Sequence, residues 1–349
     1  MKSDDQKEII IKSLNQISTI NLASLPTPLD AAQRLAEKIG LTKLFIKRDD
    51  LTGLAGGGNK ARKLEYDFAE IIKGDYDVVI TAGGIQSNHA RMTAAAARKL
   101  GLDVKLVLGG TDFDIAKGNL LLDVLFNAEI RYLVDDDANS SLELEMQKWA
   151  DELLKEGRKP FVIPIGGSTG LGALGYVKAM QELAAQIESN NVQIIVGVGS
   201  CGTFAGTILG AKIFMPEAKV IGVSVSRTVD AIKNRTKELI KESSDLINYK
   251  IDVDNLSIEC YDDYHFEYGV ITETGRQAIE LAANLEGILL DPIYTGKVMA
   301  GLIDLTKRNI IDKNTPVIFI HTGGMPIIFS FESELGSKIK CTKIYKKQS

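Results

Sequence analysis

A chain of 349 residues, 45% apolar and 25% charged, can bury a substantial core as one large domain or two of ordinary size, and two are expected. Its formal net charge of −5 gives no electrostatic reason for nucleic acid or an anionic membrane as partner, which leaves a small molecule as the expected ligand. Cys201, Cys260 and Cys341 lack paired spacing, the amino-terminal MKSDDQKEIIIKSLNQ is broken by charge, and no run of about 18 apolar residues occurs; a reducing, cytoplasmic setting is expected.

In chain order, short apolar and β-branched runs predict strands at LFIK (44–47), VVIT (78–81), VKLVL (104–108), FVIPI (161–165), QIIVGV (193–198), VIGVSV (220–225), ILL (288–290) and VIFI (317–320). Helices are predicted between them at SNHARMTAAAARKL (87–100), SLELEMQKWADELLKEG (141–157) and TFAGTILGAKIF (203–214). This alternation predicts an α/β chain with doubly wound, mostly parallel open sheets, whose ligands sit beyond the carboxyl ends of the strands. The loops at those ends are therefore where chemistry is expected.

The first, GLAGGGNK (53–60), has glycines that permit close ligand approach, an Asn59 expected to cap a helix, and Lys60 as its first residue. The positive end of a helix dipole disfavours an ammonium, so the amine that can form a Schiff base is enriched there. Taken alone, this loop still favours a solvated lysine, and Lys63, one turn on, is either solvated or set to meet a phosphate. In TAGGIQSNH (81–89), Gln86, Ser87 and Asn88 stand at a strand-to-helix turn; capping explains one of them but not the triplet. His89, His265 and His321 show no spacing that argues for a metal.

GVGSCGT (197–203) opens a helix after a strand, a geometry in which backbone amides bind an anion. Gly197, Gly199 and Gly202 also spell a GxGxxG, which raises an NADP-dependent dehydrogenase as a rival. The next strand ends in Ser226 and Arg227 where an acidic residue is wanted, although Arg227 suits a 2′-phosphate, so the rival is weakened and not removed. Tyr268 and Tyr294 are packing aromatics or acid–base groups, and Thr322 in HTGG is a turn residue or a hydroxyl at the same crevice.

LPTPLDAAQRLAEKIG, LFIKRDDLTGLAGGGNKARKLE, TAGGIQSNHARMTAAAARKLGL, GGSTGLGALGY, ILLDPIYTGKVMAGLI and HTGG, in that order, resemble the segments of one family. It is the 1-aminocyclopropane-1-carboxylate deaminase and D-cysteine desulfhydrase family, within the tryptophan-synthase-β-like (fold type II) pyridoxal-phosphate enzymes. The resemblance implies two doubly wound domains, a large one of 1–62 plus 171–349 and a small inserted one of 63–170, with the active site between them in a homodimer. It implies pyridoxal 5′-phosphate as a Schiff base on Lys60, with Asn88 on its phenolic oxygen, Lys63 and Gly199, Ser200, Cys201, Gly202 and Thr203 around its phosphate, and Thr322 at its pyridine nitrogen. Ser87, with Gln86 and Asn88, would receive the substrate, and Tyr268 and Tyr294 would flank the reacting carbons. Cys201 stands where the family's loop has glycine, which puts the local φ angle in question.

Between the two activities the resemblance turns on the residue after Tyr294, at the substrate side of the site. Cyclopropane deaminases carry Glu there and desulfhydrases Thr, and this chain has Thr295. A carboxylate near the pyridine strengthens the electron sink that ring opening needs, whereas sulfide leaves readily without it. The expected reaction is β-elimination from D-cysteine to pyruvate, ammonia and hydrogen sulfide. Cyclopropane deamination, another elimination such as sulfite loss from cysteate, and a non-catalytic amino-acid sensor are the alternatives.

Overall fold

The computed structural model describes residues 3–110, 115–134, 138–264 and 269–336; Tyr268, His265 and Cys341 lie outside the described residues. In chain order they form α1 (Ser3–Gln16), β1 (Leu29–Ala31), α2 (Gln33–Ile39), β2 (Leu44–Lys47), α3 (Lys60–Lys73), β3 (Val78–Gly84), α4 (Asn88–Lys99), β4 (Asp103–Gly109), α5 (Gly118–Leu125), β5 (Glu129–Leu133), α6 (Ala138–Lys155) and β6 (Pro160–Val162). The second half continues with α7 (Gly170–Ala184), β7 (Gln193–Val198), α8 (Gly202–Phe214), β8 (Lys219–Ser224), α9 (Val229–Leu246), β9 (Glu259–Tyr261), α10 (Glu273–Glu286), α11 (Thr295–Lys307), β10 (Val317–Ile320) and α12 (Glu332–Leu335).

Two open sheets result, one of order β1-β2-β10-β7-β8-β9 and one of order β5-β4-β3-β6. Every pairing is parallel except β1 with β2. Side-chain alternation sends Ile194, Val196 and Val198 of β7 into a core shared with α7, α8 and α9, and Ile195 into a second core on the opposite face with α2, α10 and α11. In the smaller sheet Val79 faces α3 and α4, while Val78 and Ile80 face α6. Burial on both faces explains why the central strands read as nearly continuous apolar runs.

The expected ILL strand does not form. Ile288 and Leu290 are buried and Leu289 is exposed, yet the carbonyl of Leu289 pairs with the His321 ring (Nε2 to O 3.0 Å) and not with a neighbouring strand. Tyr294 accordingly stands at the amino-terminal cap of α11 and not at a strand end. Three short strands form beyond those expected, β1, β5 and β9, all at sheet edges, where one-sided burial leaves no apolar run.

Candidate active site

The carboxyl ends of β3, β7, β8 and β10 open onto one cavity of about 310 Å³. Lys60 and Asn59 line it from the start of α3, and Gly83, Gly84, Ser87, Asn88 and His89 from the turn after β3. The glycine loop after β7 contributes Gly199, Ser200, Cys201 and Thr203; Ser226, Arg227, Tyr294 and Thr322 complete the polar wall. Residues from near both ends of the chain, Lys60 and Thr322 among them, thus meet at one place.

Burial of the Lys60 ammonium pushes its pKa down to about 8. The loop before it is fixed by glycine: at Gly57 (φ +78°) a Cβ would lie 1.8 Å from the carbonyl oxygen of Asp50. Gly58 bridges to Gly323, and the Asn59 amide donates to the Thr322 carbonyl at 3.0 Å, which joins the Lys60 turn to the Thr322 turn. Asn59 is not the expected cap. Its backbone is already helical (φ −58°, ψ −22°), and its Nδ2 donates to Thr203 Oγ1 at 2.8 Å, tying α3 to the glycine loop.

Ser87 caps α4 by accepting the Ala90 amide at 3.2 Å and also lines the cavity. Asn88 lines it too, and its Oδ1 accepts from Asn119 Nδ2 at 2.9 Å. Gln86 turns away: its Oε1 accepts the Asn119 amide at 2.9 Å and its Nε2 donates to the Lys117 carbonyl at 3.1 Å. Asn119 itself carried no signal in the sequence, being a lone amide in GNLLLDVL.

At Cys201 the chain takes φ +71°, the left-handed region that the family's glycine would occupy, and the thiol is buried. Beyond it the Gly202 amide donates to Ser168 Oγ at 3.3 Å and the Ala205 amide to the Cys201 carbonyl at 2.8 Å, so the amides of Thr203 and Phe204, which line the cavity, are those placed to cradle an anion under the positive end of the helix. Lys63 and Gly202 do not line the cavity; they stand just behind it. A methyl group on Gly202 would lie 2.7 Å from Lys63 Nζ, which donates to the Gly166 carbonyl at 2.6 Å. Burial, followed by the charge of Lys60, drives the Lys63 pKa well down.

His89, whose spacing argues for no metal, forms part of the wall. Thr81 Oγ1 gives its one proton to the Ile163 carbonyl at 2.9 Å and therefore accepts from His89 Nε2 at 2.9 Å. Nδ1 then carries a lone pair, buried without a partner among the described residues. Burial and the charges of Lys60 and Lys63 hold the ring well below its usual pKa, so it is neutral.

Thr295 also lies off the cavity, its hydroxyl donating to Asp291 Oδ2 at 2.7 Å. Among the described residues lining the cavity, none is Asp or Glu, while Lys60 and Arg227 bring positive charge. An amine whose pKa burial lowers to about 8, beside a helix-end amide cradle and with Thr322 on the turn joined to its own, fits an aldehyde that bears a phosphate.

The chain matches the profile of the family described as "Pyridoxal-phosphate dependent enzyme" over residues 20–323. It is 41% identical over 334 residues to the D-cysteine desulfhydrase of Klebsiella pneumoniae (strain 342), covering 93% of this chain and 99% of that one. It is 42% identical over 328 residues to the "Putative 1-aminocyclopropane-1-carboxylate deaminase" of Pyrococcus horikoshii, covering 93% and 98%. A crystal structure of an "ACC deaminase homologue", 41% identical, superposes with a TM-score of 0.87 over 93% of this chain and 98% of that one.

Proposed function

Because this chain belongs to the pyridoxal-phosphate-dependent enzymes, we propose that it is a carbon–sulfur lyase converting D-cysteine and water to pyruvate, ammonia and hydrogen sulfide. When bound, pyridoxal phosphate supplies the electron sink that accepts negative charge from the substrate's α-carbon. Lys60 is the residue assigned to hold it covalently, and the loop 199–203 with Lys63 behind it is assigned to the phosphate. Asn88 is assigned to the phenolic oxygen and Thr322 to the pyridine nitrogen. With a pKa of about 8, Lys60 Nζ is neutral often enough near neutral pH to take the α-proton. Ser87, with Asn88 beside it, receives the substrate carboxylate, while Tyr294 is assigned to the departing sulfur. Tyr268 keeps the companion role that the resemblance gives it.

The observation that carries the choice of sulfide elimination is the composition of the described wall, which pairs Lys60 and Arg227 with neutral polar groups and no carboxylate. Such a wall does not stabilise a protonated pyridine, and the weaker sink suits a leaving group that departs readily. The off-cavity position of Thr295 alters how residue 295 would act: through Asp291 and the shape of the turn, and not by touching the ring. Gln86 likewise shapes the Ser87–Asn88 turn through Asn119.

Cyclopropane deamination is the second reading, favoured by the Pyrococcus relative and the "ACC deaminase homologue". The dehydrogenase reading of GVGSCG gives way to family membership. The proposal includes a cytoplasmic homodimer and a division at 63–170. The strand order supports that division, since all four strands of the smaller sheet fall within 78–162. No helix among the described residues is long and apolar enough to cross a membrane.

The test is release of hydrogen sulfide, pyruvate and ammonia by the cofactor-loaded protein from D-cysteine, L-cysteine, cysteate and 1-aminocyclopropane-1-carboxylate. Preferential sulfide release from D-cysteine is expected. Faster 2-oxobutyrate formation from the cyclopropane acid would replace this proposal with the second reading, and no turnover of any amino acid would favour a sensor.

A further inference from the structure

Asp291 is fully buried, lies off the cavity, and has no cation within salt-bridge distance among the described residues. Its carboxylate is nevertheless fully engaged. Oδ1 accepts the amides of Ile293 (2.9 Å) and Tyr294 (2.7 Å), and Oδ2 accepts the amide (3.0 Å) and hydroxyl (2.7 Å) of Thr295. The Asp291 amide in turn donates to Thr295 Oγ1 at 2.8 Å.

The other side of the same carboxylate rests on a second turn. At Gly324 (φ +105°) a Cβ would lie 2.5 Å from Asp291 Oδ2, so only glycine lets HTGG approach this closely. That turn carries Thr322, whose carbonyl accepts the Asn59 amide next to Lys60. Closing a local turn needs no buried charge: Asn or Ser does it without the cost of desolvating a carboxylate. A carboxylate supplies two oxygens with four acceptor sites in one plane, enough to hold one turn rigidly while its edge packs against another.

We propose that Asp291 is a positioning residue that locks the Tyr294 turn against the Thr322 turn and thereby sets where Tyr294 stands in the cavity. It acts through backbone amides and touches neither substrate nor cofactor. Only the activity arm of its test rests on the D-cysteine proposal; the exchange arm does not.

The experiment compares cofactor-loaded wild type with Asp291→Asn by amide hydrogen exchange, read by mass spectrometry, and by steady-state kinetics. Asn keeps the size but replaces one acceptor oxygen with a donor facing the Thr295 amide. Exchange should quicken at 293–295 and at 322–324 together, by about tenfold or more, with α4 and α8 unchanged. The kcat for D-cysteine should fall about tenfold or more with KM little changed, and Asp291→Asn combined with Tyr294→Phe should be no slower than Tyr294→Phe alone. Quickened exchange confined to 293–295, or losses that multiply in the double variant, would overturn the inference.

Should Asp291→Asn fail to fold, Thr295→Val and Thr295→Ser replace it. Val removes the hydroxyl bond and should quicken both segments, Ser should restore them, and wild-type exchange in the Val variant would refute the coupling. A wild type inert toward D-cysteine would sink the substrate proposal, leaving the exchange pattern to decide on Asp291.

Discussion

At Lys60 the chemistry depends on a proton. Burial lowers its pKa from 10.5 to about 8, so the neutral fraction increases as pH rises through that value. The rate at which cofactor-free protein takes up pyridoxal phosphate should therefore climb between about pH 7 and 9 and then level off. A midpoint near the ordinary lysine value would show that the amine is solvated, the fate that the lysine-bearing loop suggests when taken alone. The motif points to an unusual lysine but to the wrong leading cause, because a helix dipole is visible in a motif and desolvation by distant chain segments is not. The same limit applies to His89, whose tautomer follows from Thr81 and Ile163, and to Asn119, whose partners Gln86 and Asn88 lie 33 and 31 residues away.

Cys201 occupies the left-handed region, at φ +71°. A β-branched side chain tolerates positive φ poorly, so Cys201→Val should lower stability by about 1–2 kcal/mol beyond any effect of its size. Cys201→Gly should stay within about 1 kcal/mol of the parent, since relief of the φ strain offsets added freedom in the unfolded chain. Urea unfolding of the three proteins decides it, and equal losses for Val and Gly would argue against a φ-controlled site.

At the scale of elements, α3 presents Lys60 only if its own position is fixed. Arg62, two residues on, donates to both oxygens of Asp49 (2.9 Å each), to Glu182 on α7 (2.9 and 3.0 Å) and to Thr27 Oγ1 (3.0 Å), with Arg62, Asp49 and Thr27 all buried. Lys47 on β2 reaches the same Glu182 carboxylate, and the Tyr176 hydroxyl donates to Asp49. Burial pushes the Asp49 carboxyl up, but Arg62 and the hydroxyls of Tyr176 and Thr27 more than compensate and hold it below its usual value. Arg62→Ala leaves that buried charge uncompensated and should cost about 3–5 kcal/mol by urea unfolding. A loss under about 1 kcal/mol would mean that the network is not what seats α3.

The elements were legible in proportion to their burial. Central strands β3, β4, β7, β8 and β10 are covered on both faces and announce themselves as apolar runs, whereas the edge strands β1, β5 and β9 mix charge with apolar residues. ILL misleads because Ile288 and Leu290 alternate as in a strand while His321 takes the backbone bond that a strand would offer. Helices α4, α6 and α8 are legible in kind, since their lengths and apolar stripes exceed what a strand can hold.

For the whole molecule, parallel pairing in both sheets sends the glycine loops toward one crevice, which is why scattered motifs such as GGGNK, GGIQSNH, GVGSCGT and HTGG group together from the strand pattern alone. How those loops interlock was not legible, because Gly58 against Gly323 and Asn59 against Thr203 are pairings of tertiary structure. A cofactor that bridges loops from both sheets should stabilise the fold by mass action, by about 2.7 kcal/mol at a hundredfold excess over its Kd. Thermal melts with and without pyridoxal phosphate should show a concentration-dependent rise in Tm. An unchanged Tm would contradict binding of the cofactor to the folded protein.

The proposed chemistry rests on one nitrogen atom, Lys60 Nζ. Borohydride reduction of the cofactor-saturated native protein, followed by digestion and peptide mass mapping, should place the phosphopyridoxyl mass on the peptide containing Asn59, Lys60 and Ala61, and nowhere else. An unmodified Lys60 peptide alongside the label on Lys63 or another lysine would show that Lys60 is not the cofactor's lysine.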